Sequence, residues 1–490
     1  MTSQALNVPH ADRLYIGGQW VEPSSDATFA VLNSATEEVV ARVPQATEAD
    51  ANAAVQAARQ AFDHGPWPRM TPAERAVYMD RIAERLEALN DDFARIWTTE
   101  SGVLYKIAQP RVGQYLSGAF RQYSAMADTY PFIKAVKSTS GHQGYQIQEP
   151  VGVSVAIVPW NGPAALIAYK VAPALLAGCT VIIKSSPEAP CSGNLFAQIC
   201  DEVGLPPGVV NAITADREVS ESLVRNPGVD KITFTGSTAA GRRIGAVASE
   251  RVARCTLELG GKSPALVLDD YDVETAAKLL GTAYFSYLTG QVCASLTRII
   301  VPRARHDAMV DALVDAARGM VIGDPFDPAT TMGPLASERQ RGTVERMVAQ
   351  GVAEGARLAV GGGRPKHLER GFFFEPTVFA NVDNSSFIAR NEFFGPVLSV
   401  IAADSEQHAI DMANDSIYGL NAAVFTHDAE HAMRVARQLR SGSVGHNASR
   451  YDFAIGFGGF KQSGIGREGG EGGLEAFLES KTVVLDQMAP

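Results

Sequence analysis

VGVSVAIVPWNGPAALIAYKVAPALLAGCTVIIKSS, residues 151–186, is the stretch whose reading decides the fold class. Val153 to Pro159 is a short, nearly all-apolar, β-rich run. The longer apolar run from Ala164 to Ile183 invites a membrane reading, but Lys170 and Pro173 interrupt it and small residues dominate its second half. It reads instead as a buried helix followed by a buried strand, Thr180 to Lys184. Strands that are apolar on both faces belong to parallel sheets covered by helices on either side.

The same alternation continues through Val209 to Ile213, Lys231 to Thr235 and Ala265 to Leu268, so this region is expected to be a doubly wound α/β unit. After Cys293 it resumes with Ile299 to Val301, Val378 to Ala380, Val397 to Ala402 and Ala422 to Phe425, separated by helical segments such as Ala336 to Ala353. That predicts a second α/β unit. Upstream, Tyr15-Ile16-Gly17-Gly18-Gln19-Trp20 reads as a hairpin turned by two glycines. Thr71-Pro72-Ala73-Glu74 carries a cap, a proline at the first helical position and a capping-box glutamate, and Met79, Ile82, Leu86 and Leu89 follow at helical spacing. Tyr130 to Gln148, polar and alternating around Ser138, Ser140 and Gly141, is expected to protrude as a two-stranded hairpin. The strand-like Lys481 to Leu485 follows a glycine-rich linker and has the character of a strand that pairs with another element or another subunit.

Composition narrows the function classes. At about 150 residues per domain, 490 residues make about three domains, enough to bury several cores without staples. The 43 lysines and arginines against 54 acids give a net charge of −11, which repels phosphate backbones and anionic lipid, so neither nucleic acid nor membrane is expected as a partner. Five widely spaced cysteines without a CxxC pair argue against disulfides and zinc, and Met1 to Arg13 has no apolar stretch of signal-peptide length. A reducing cytoplasm is the expected location. No metal is expected either: only His427 and His431 have i, i+4 spacing, and they open a polar surface helix.

Four places have the residue types that chemistry needs. Thr289-Gly290-Gln291-Val292-Cys293-Ala294-Ser295 sets a cysteine in a short loop where a thiolate can meet a carbonyl carbon, although a lone cysteine is more often a small buried hydrophobe. Leu257-Glu258-Leu259-Gly260-Gly261-Lys262 places a carboxylate in an apolar strand, where it is either paired, for example with Lys262, or used as a base. Val158-Pro159-Trp160-Asn161-Gly162-Pro163 lies at a strand carboxyl end, where open α/β sheets bind ligands, and Asn161 has an amide suited to an oxyanion. Ile232-Thr233-Phe234-Thr235-Gly236-Ser237 leads from a strand into a helix through small residues, as a phosphate site does, without a GxGxxG pattern.

In this order the pieces resemble the aldehyde dehydrogenase superfamily from Tyr15 to Val484. The resemblance also rests on Lys184, on Glu392-Phe393-Phe394-Gly395-Pro396 and on Gly458-Gly459-Phe460-Lys461-Gln462-Ser463-Gly464. It implies a cysteine nucleophile, Cys293, a hydrolytic base, Glu258, and an oxyanion donor, Asn161. It implies a dinucleotide held by Val158, Pro159, Trp160, Lys184, Glu188, Phe234, Thr235, Gly236, Ser237, Leu259, Glu392 and Phe394. It further implies residues 1–129 and 149–258 as the dinucleotide-binding domain and 259–470 as the catalytic domain. Residues 130–148 and 471–490 become an arm that builds homodimers or homotetramers.

Two departures bear on specificity. Many NAD-dependent members have a glutamate three residues after the lysine, whereas this chain has Pro187 there and Glu188 one later. NAD is favoured, with NADP open, because a nearby carboxylate still bonds ribose hydroxyls and repels a 2′-phosphate. Gly162 stands where an aromatic is frequent, which widens the passage lined by Leu166, Tyr169, Val292 and Phe457. The expected substrate is a bulky aromatic, terpenoid or long-chain aldehyde. The competing readings are an acylating relative that uses coenzyme A, opposed by the presence of Glu258, and a catalytically silent binding or structural member.

Overall fold

The computed structural model describes residues 6, 8–139 and 141–486; Ser140, one of the residues at the tip of the expected hairpin, lies outside them. Val153–Ile157, Thr180–Ser185, Val210–Thr214, Lys231–Thr235 and Arg254–Glu258 are parallel strands of one eight-stranded sheet. Every residue of the first four is buried, as two covered faces require. The Pro163–Ala177 helix between the first two ends at Gly178, whose φ of +97° gives the left-handed cap. Leu14–Ile16 and Gln19–Val21 extend one edge as the expected hairpin, turned by Gly17 and Gly18 at φ +64° and +77°.

The strand order places Val153–Ile157 between Thr180–Ser185 and Lys231–Thr235. The chain therefore winds outward from Val153–Ile157 in one direction and returns to its other side with Lys231–Thr235. Their carboxyl ends open a crevice at that reversal, the position where doubly wound sheets bind ligands.

Ser263–Val267, which the alternation groups with the first unit, instead joins the second sheet. It pairs there with Leu296–Pro302 and Asn421–Phe425. Val397–Ala403, Thr377–Ala380 and Ser443–His446 complete the parallel part of this seven-stranded sheet, with Arg357–Val360 antiparallel at its edge. The reverse exchange also occurs: Gly464–Ile465 returns to the first sheet and pairs with Arg254–Glu258. Alternation reveals strands but not which sheet receives them.

Helix Pro72–Ala88 begins with the expected reciprocal box, Thr71 accepting from the Glu74 N–H and Glu74 from the Thr71 N–H, and buries Met79, Ile82 and Leu86. The arm is a three-stranded sheet in which Gln143–Pro150 lies between Ile133–Lys137 and Leu478–Leu485, so the C-terminal strand pairs within its own chain. Among the described residues no helix is long and apolar enough to cross a membrane.

The two α/β units touch where backbone meets backbone. Gly102 ends helix Asn90–Ser101 at φ +78°, and a Cβ there would sit 2.5 Å from the Pro334 carbonyl. Gly102→Ala is expected to destabilise the protein by about 2 kcal/mol or more, from left-handed backbone strain together with this clash. A urea midpoint unchanged from that of the parent chain would contradict this.

Candidate active site

Glu258 is the last residue of Arg254–Glu258, and only Leu259-Gly260-Gly261-Lys262 separates it from the first strand of the second sheet. The two glycines are required by close approach: a Cβ on Gly261 would stand 2.4 Å from the Cys293 carbonyl oxygen, and one on Gly260 2.1 Å from a Glu392 carboxylate oxygen. The cysteine loop and Glu392 are thereby brought against the end of the Glu258 strand.

The loop that presents Cys293 is held under strain. Leu288, Thr289 and Gly290 have φ of +52°, +54° and +76°, and two of them have side chains that disfavour this region. Gln291, fully buried, ties the loop down by donating to the Leu288 carbonyl (2.9 Å) and accepting from the Ala336 N–H (2.9 Å). The Thr289 hydroxyl donates to the Gly333 carbonyl (2.9 Å). Cys293 is half-buried while Cys179, Cys191 and Cys200 are buried. Burial, and then the charges of Glu392 and Glu258, push its thiol well above the usual range.

Asn161 faces the same loop. Its Nδ2 donates to the Gln291 carbonyl (2.9 Å), and its own carbonyl accepts from the Trp97 indole (2.7 Å). The Ser101 hydroxyl holds the neighbouring Trp160 carbonyl (2.6 Å). The amide is thus oriented beside the cysteine from a turn fixed at two points.

Glu258 is 1 % exposed, and among the described residues neither of its carboxylate oxygens has a hydrogen-bond partner. It is not paired with Lys262, the alternative left open by the sequence. Lys262 instead lies over the Phe393 ring at 4.7 Å. Burial and then the Glu468 charge raise the Glu258 carboxyl well above its ordinary value, against the opposing pull of Lys170 and Arg467. Behind it Lys170 is ion-paired with Glu468, and Lys170 also donates to the Thr233 hydroxyl (3.2 Å). Gly458 leaves Glu258 room, since a Cβ there would be 2.8 Å from its Oε1.

The remaining positions lie at or beyond the carboxyl ends of the first sheet's strands, or touch the Leu259–Lys262 connection. Lys184, buried, donates to the Ala215 carbonyl (3.3 Å), and burial lowers its ammonium pKa to about 8 while Glu188 and Asp216 oppose the shift. Ser237 caps the 13-residue helix Thr238–Glu250 by accepting from the Ala240 N–H, and the Gly236 N–H donates to the Glu258 carbonyl (3.0 Å). The Thr235 hydroxyl is buried and unpartnered. Leu259 packs where Gly241 leaves space. Glu392 accepts from the Gly261 N–H (3.2 Å), and burial raises its carboxyl to about 7. Phe394 meets Trp160 edge to face at 5.3 Å. Buried Val158 and Phe234 belong to the packing beneath, and Pro159 is half-exposed.

On the other side of Cys293 a chain of rings forms a wall. Tyr169 stacks on Phe453 (4.1 Å) and Phe453 on Phe457 (4.6 Å), while Tyr451 leans on Phe457 (5.3 Å). Val292 and Cys293 pack in the same apolar cluster as Phe453 and Phe457. Leu166, Tyr169, Tyr287 and Val292 pack on the edge of the large core of the first unit. A Cβ on Gly162 would meet nothing within 4 Å among the described residues, so a side chain there would have room. Tyr451, Phe453, Tyr287 and the Lys170–Glu468 pair were not singled out from the sequence. The aromatic density of Tyr451-Asp452-Phe453-Ala454-Ile455-Gly456-Phe457 was the available signal for the first two. Among the described residues, no group of three or more His, Cys, Asp or Glu side chains is placed to hold a metal ion.

Comparisons with known proteins point to one family. Residues 20–483 match the model of the aldehyde dehydrogenase family. The geranial dehydrogenase of Castellaniella defragrans is 41% identical over 481 residues, covering 98% of this chain and all of that one. A Mycobacterium tuberculosis aldehyde dehydrogenase complexed with NAD+ superposes with a TM-score of 0.94 at 44% identity, covering 97% of this chain and 98% of that one. A Pseudomonas syringae aldehyde dehydrogenase mutant, solved with NAD+ and octanal, gives 0.95 at 39% identity over the whole of both chains. With a cysteine loop, an unpartnered buried glutamate and an oriented asparagine meeting at the junction of two parallel sheets, the chain belongs to the aldehyde dehydrogenase family.

Proposed function

We propose that this enzyme oxidises a bulky aldehyde to its carboxylic acid with a nicotinamide dinucleotide, NAD being the cofactor in the related complexes. Glu258 carries the reading, because a buried carboxylate without partners is too costly to keep unless it is used. The first α/β unit fits a dinucleotide. The helix N-terminus at Ser237 and the orphaned Thr235 hydroxyl suit the pyrophosphate, Lys184 and Glu188 the adenine ribose, and Glu392 with Phe394 the nicotinamide ribose. When bound, the nicotinamide accepts the hydride that leaves the substrate carbon.

The protein's own groups do the rest. The Cys293 thiol gives up its proton to water and the sulfur bonds to the aldehyde carbon, and the oxygen takes up the electron pair of the C=O bond. In this reading Asn161 Nδ2 and the Cys293 N–H stabilise that oxyanion, which re-forms the C=O bond as hydride departs and leaves a thioester on Cys293. Ionised Glu258 then takes a proton from water, the oxygen attacks the thioester carbon, and the C–S bond breaks to release the acid.

The ring wall of Tyr169, Phe453, Phe457 and Tyr451 and the open space at Gly162 support a bulky aromatic, terpenoid or long-chain substrate. The arm supports a homodimer or homotetramer, since its two edge strands expose Ile133 (65 %) and Val484 (53 %), a pattern suited to another copy.

With Glu258→Gln, a burst of about one reduced nicotinamide per site is expected without coenzyme A, followed by turnover lowered about 10²- to 10⁴-fold. A proportionate loss of burst and turnover would remove Glu258 as the hydrolytic base. Because both Glu258 and Cys293 are raised and both act deprotonated, wild-type turnover should climb from neutral into alkaline pH; a flat profile from pH 5 upward would be incompatible with these roles. Gly162→Phe should lower kcat/KM for bulky aldehydes about tenfold while sparing short ones, and higher wild-type efficiency on short aliphatic aldehydes than on bulky ones would reject the substrate class. Ile133→Arg with Val484→Arg should give a smaller species by light scattering; an unchanged mass would exclude these edges from the assembly.

A further inference from the structure

The turn after Thr180–Ser185 brings Glu188 close enough to Lys184 for its charge to act on the ammonium, at the end of the crevice assigned to the adenine ribose. Glu188 is not a free carboxylate. Its Oε1 accepts from the guanidinium of Arg339, and its Oε2 from the Ser186 hydroxyl. Arg339 comes from the other α/β unit, on the first turn of helix Glu338–Ala353, and its side chain is 74 % exposed against 21 % for Glu188. Its neighbour Gln340 donates to the Phe393 (3.1 Å) and Phe394 (2.8 Å) carbonyls, beside Glu392. One helical turn of the second unit thus reaches both ends of the cofactor crevice.

A carboxylate at this position selects against a 2′-phosphate by repulsion, but only while its charge is uncompensated. Here the compensating charge is an exposed guanidinium, whose fork of N–H donors matches a phosphate as well as a carboxylate. We propose that Arg339, acting with Glu188, is the specificity-determining residue for the dinucleotide: it offsets the carboxylate that would reject a 2′-phosphate and offers that phosphate a partner, so the enzyme binds NADP as well as NAD. The inference rests on the dinucleotide reading of the first unit given above. An exposed ion pair contributes little to stability, so its removal leaves a folded protein in which ligand choice can be read.

The test is the dissociation constant of NAD+ and of NADP+, measured by calorimetry without aldehyde, for wild type, Arg339→Ala, Arg339→Lys and Glu188→Gln. Arg339→Ala should weaken NADP+ about tenfold and change NAD+ by less than about threefold, with Arg339→Lys between wild type and Ala. Glu188→Gln should shift the preference toward NADP+. Added salt should weaken NADP+ binding more in wild type than in Arg339→Ala. Equal effects on both dinucleotides, no effect on either, or wild type binding NAD+ but not NADP+ would each overturn the role of Arg339 while leaving the dehydrogenase reading in place. Wild type binding neither dinucleotide would overturn both.

Discussion

Four residues, Leu259 to Lys262, join the last parallel strand of one sheet to the first strand of the other. So short a connection admits little freedom in how the two sheets meet, and it forces the end of Arg254–Glu258 against the loop that carries Cys293. Gly260 and Gly261 make this possible by having no side chain where Glu392 and the Cys293 backbone must pass. Everything that follows is built around that junction. The strained turn at Leu288 and Thr289, the anchoring of Gln291 and the orientation of Asn161 all serve to hold a loop close to a carboxylate that has no other partner.

Burial of charge divides into two kinds here. Lys170 and Glu468 neutralise one another, and Arg298, also buried, spends its guanidinium on the Lys262, Met412 and Ala413 carbonyls and the Asn384 side chain. Such paired groups hold elements together, although one buried oxygen of Glu468 has no hydrogen-bond partner among the described residues. Glu258 is the other kind, unsatisfied on both oxygens and raised in pKa by the surroundings that satisfy its neighbours.

Much of this was readable from the chain. The mainly apolar runs from Val153 to Thr235 read as strands covered on both faces, and the Thr71-Pro72-Glu74 cap and the Gly17-Gly18 turn are local devices whose chemistry lies within a few residues. Asn161, Glu258 and Cys293 stood out because each is a polar or reactive group set at the edge of an apolar run. The assignment of Ser263–Val267 and Gly464–Ile465 to their sheets was not readable, because an apolar strand carries no label for its partner. Nor was the ring wall beside Cys293, which brings Tyr169 and Phe453 together across 284 positions of sequence.

The sequence by itself determined the class of fold, the caps and turns, and which residue types were available for nucleophile, base and oxyanion donor, because those depend on periodicity and on neighbours along the chain. Only the tertiary structure decided that Glu258 is unpartnered rather than bound to Lys262, that the C-terminal strand pairs with its own arm, and that Arg339 reaches across to Glu188. Those outcomes depend on charges and backbone groups far apart in sequence meeting at a distance of a few ångströms, and Coulomb and hydrogen-bond energies vary over that range too steeply for spacing along a chain to specify them.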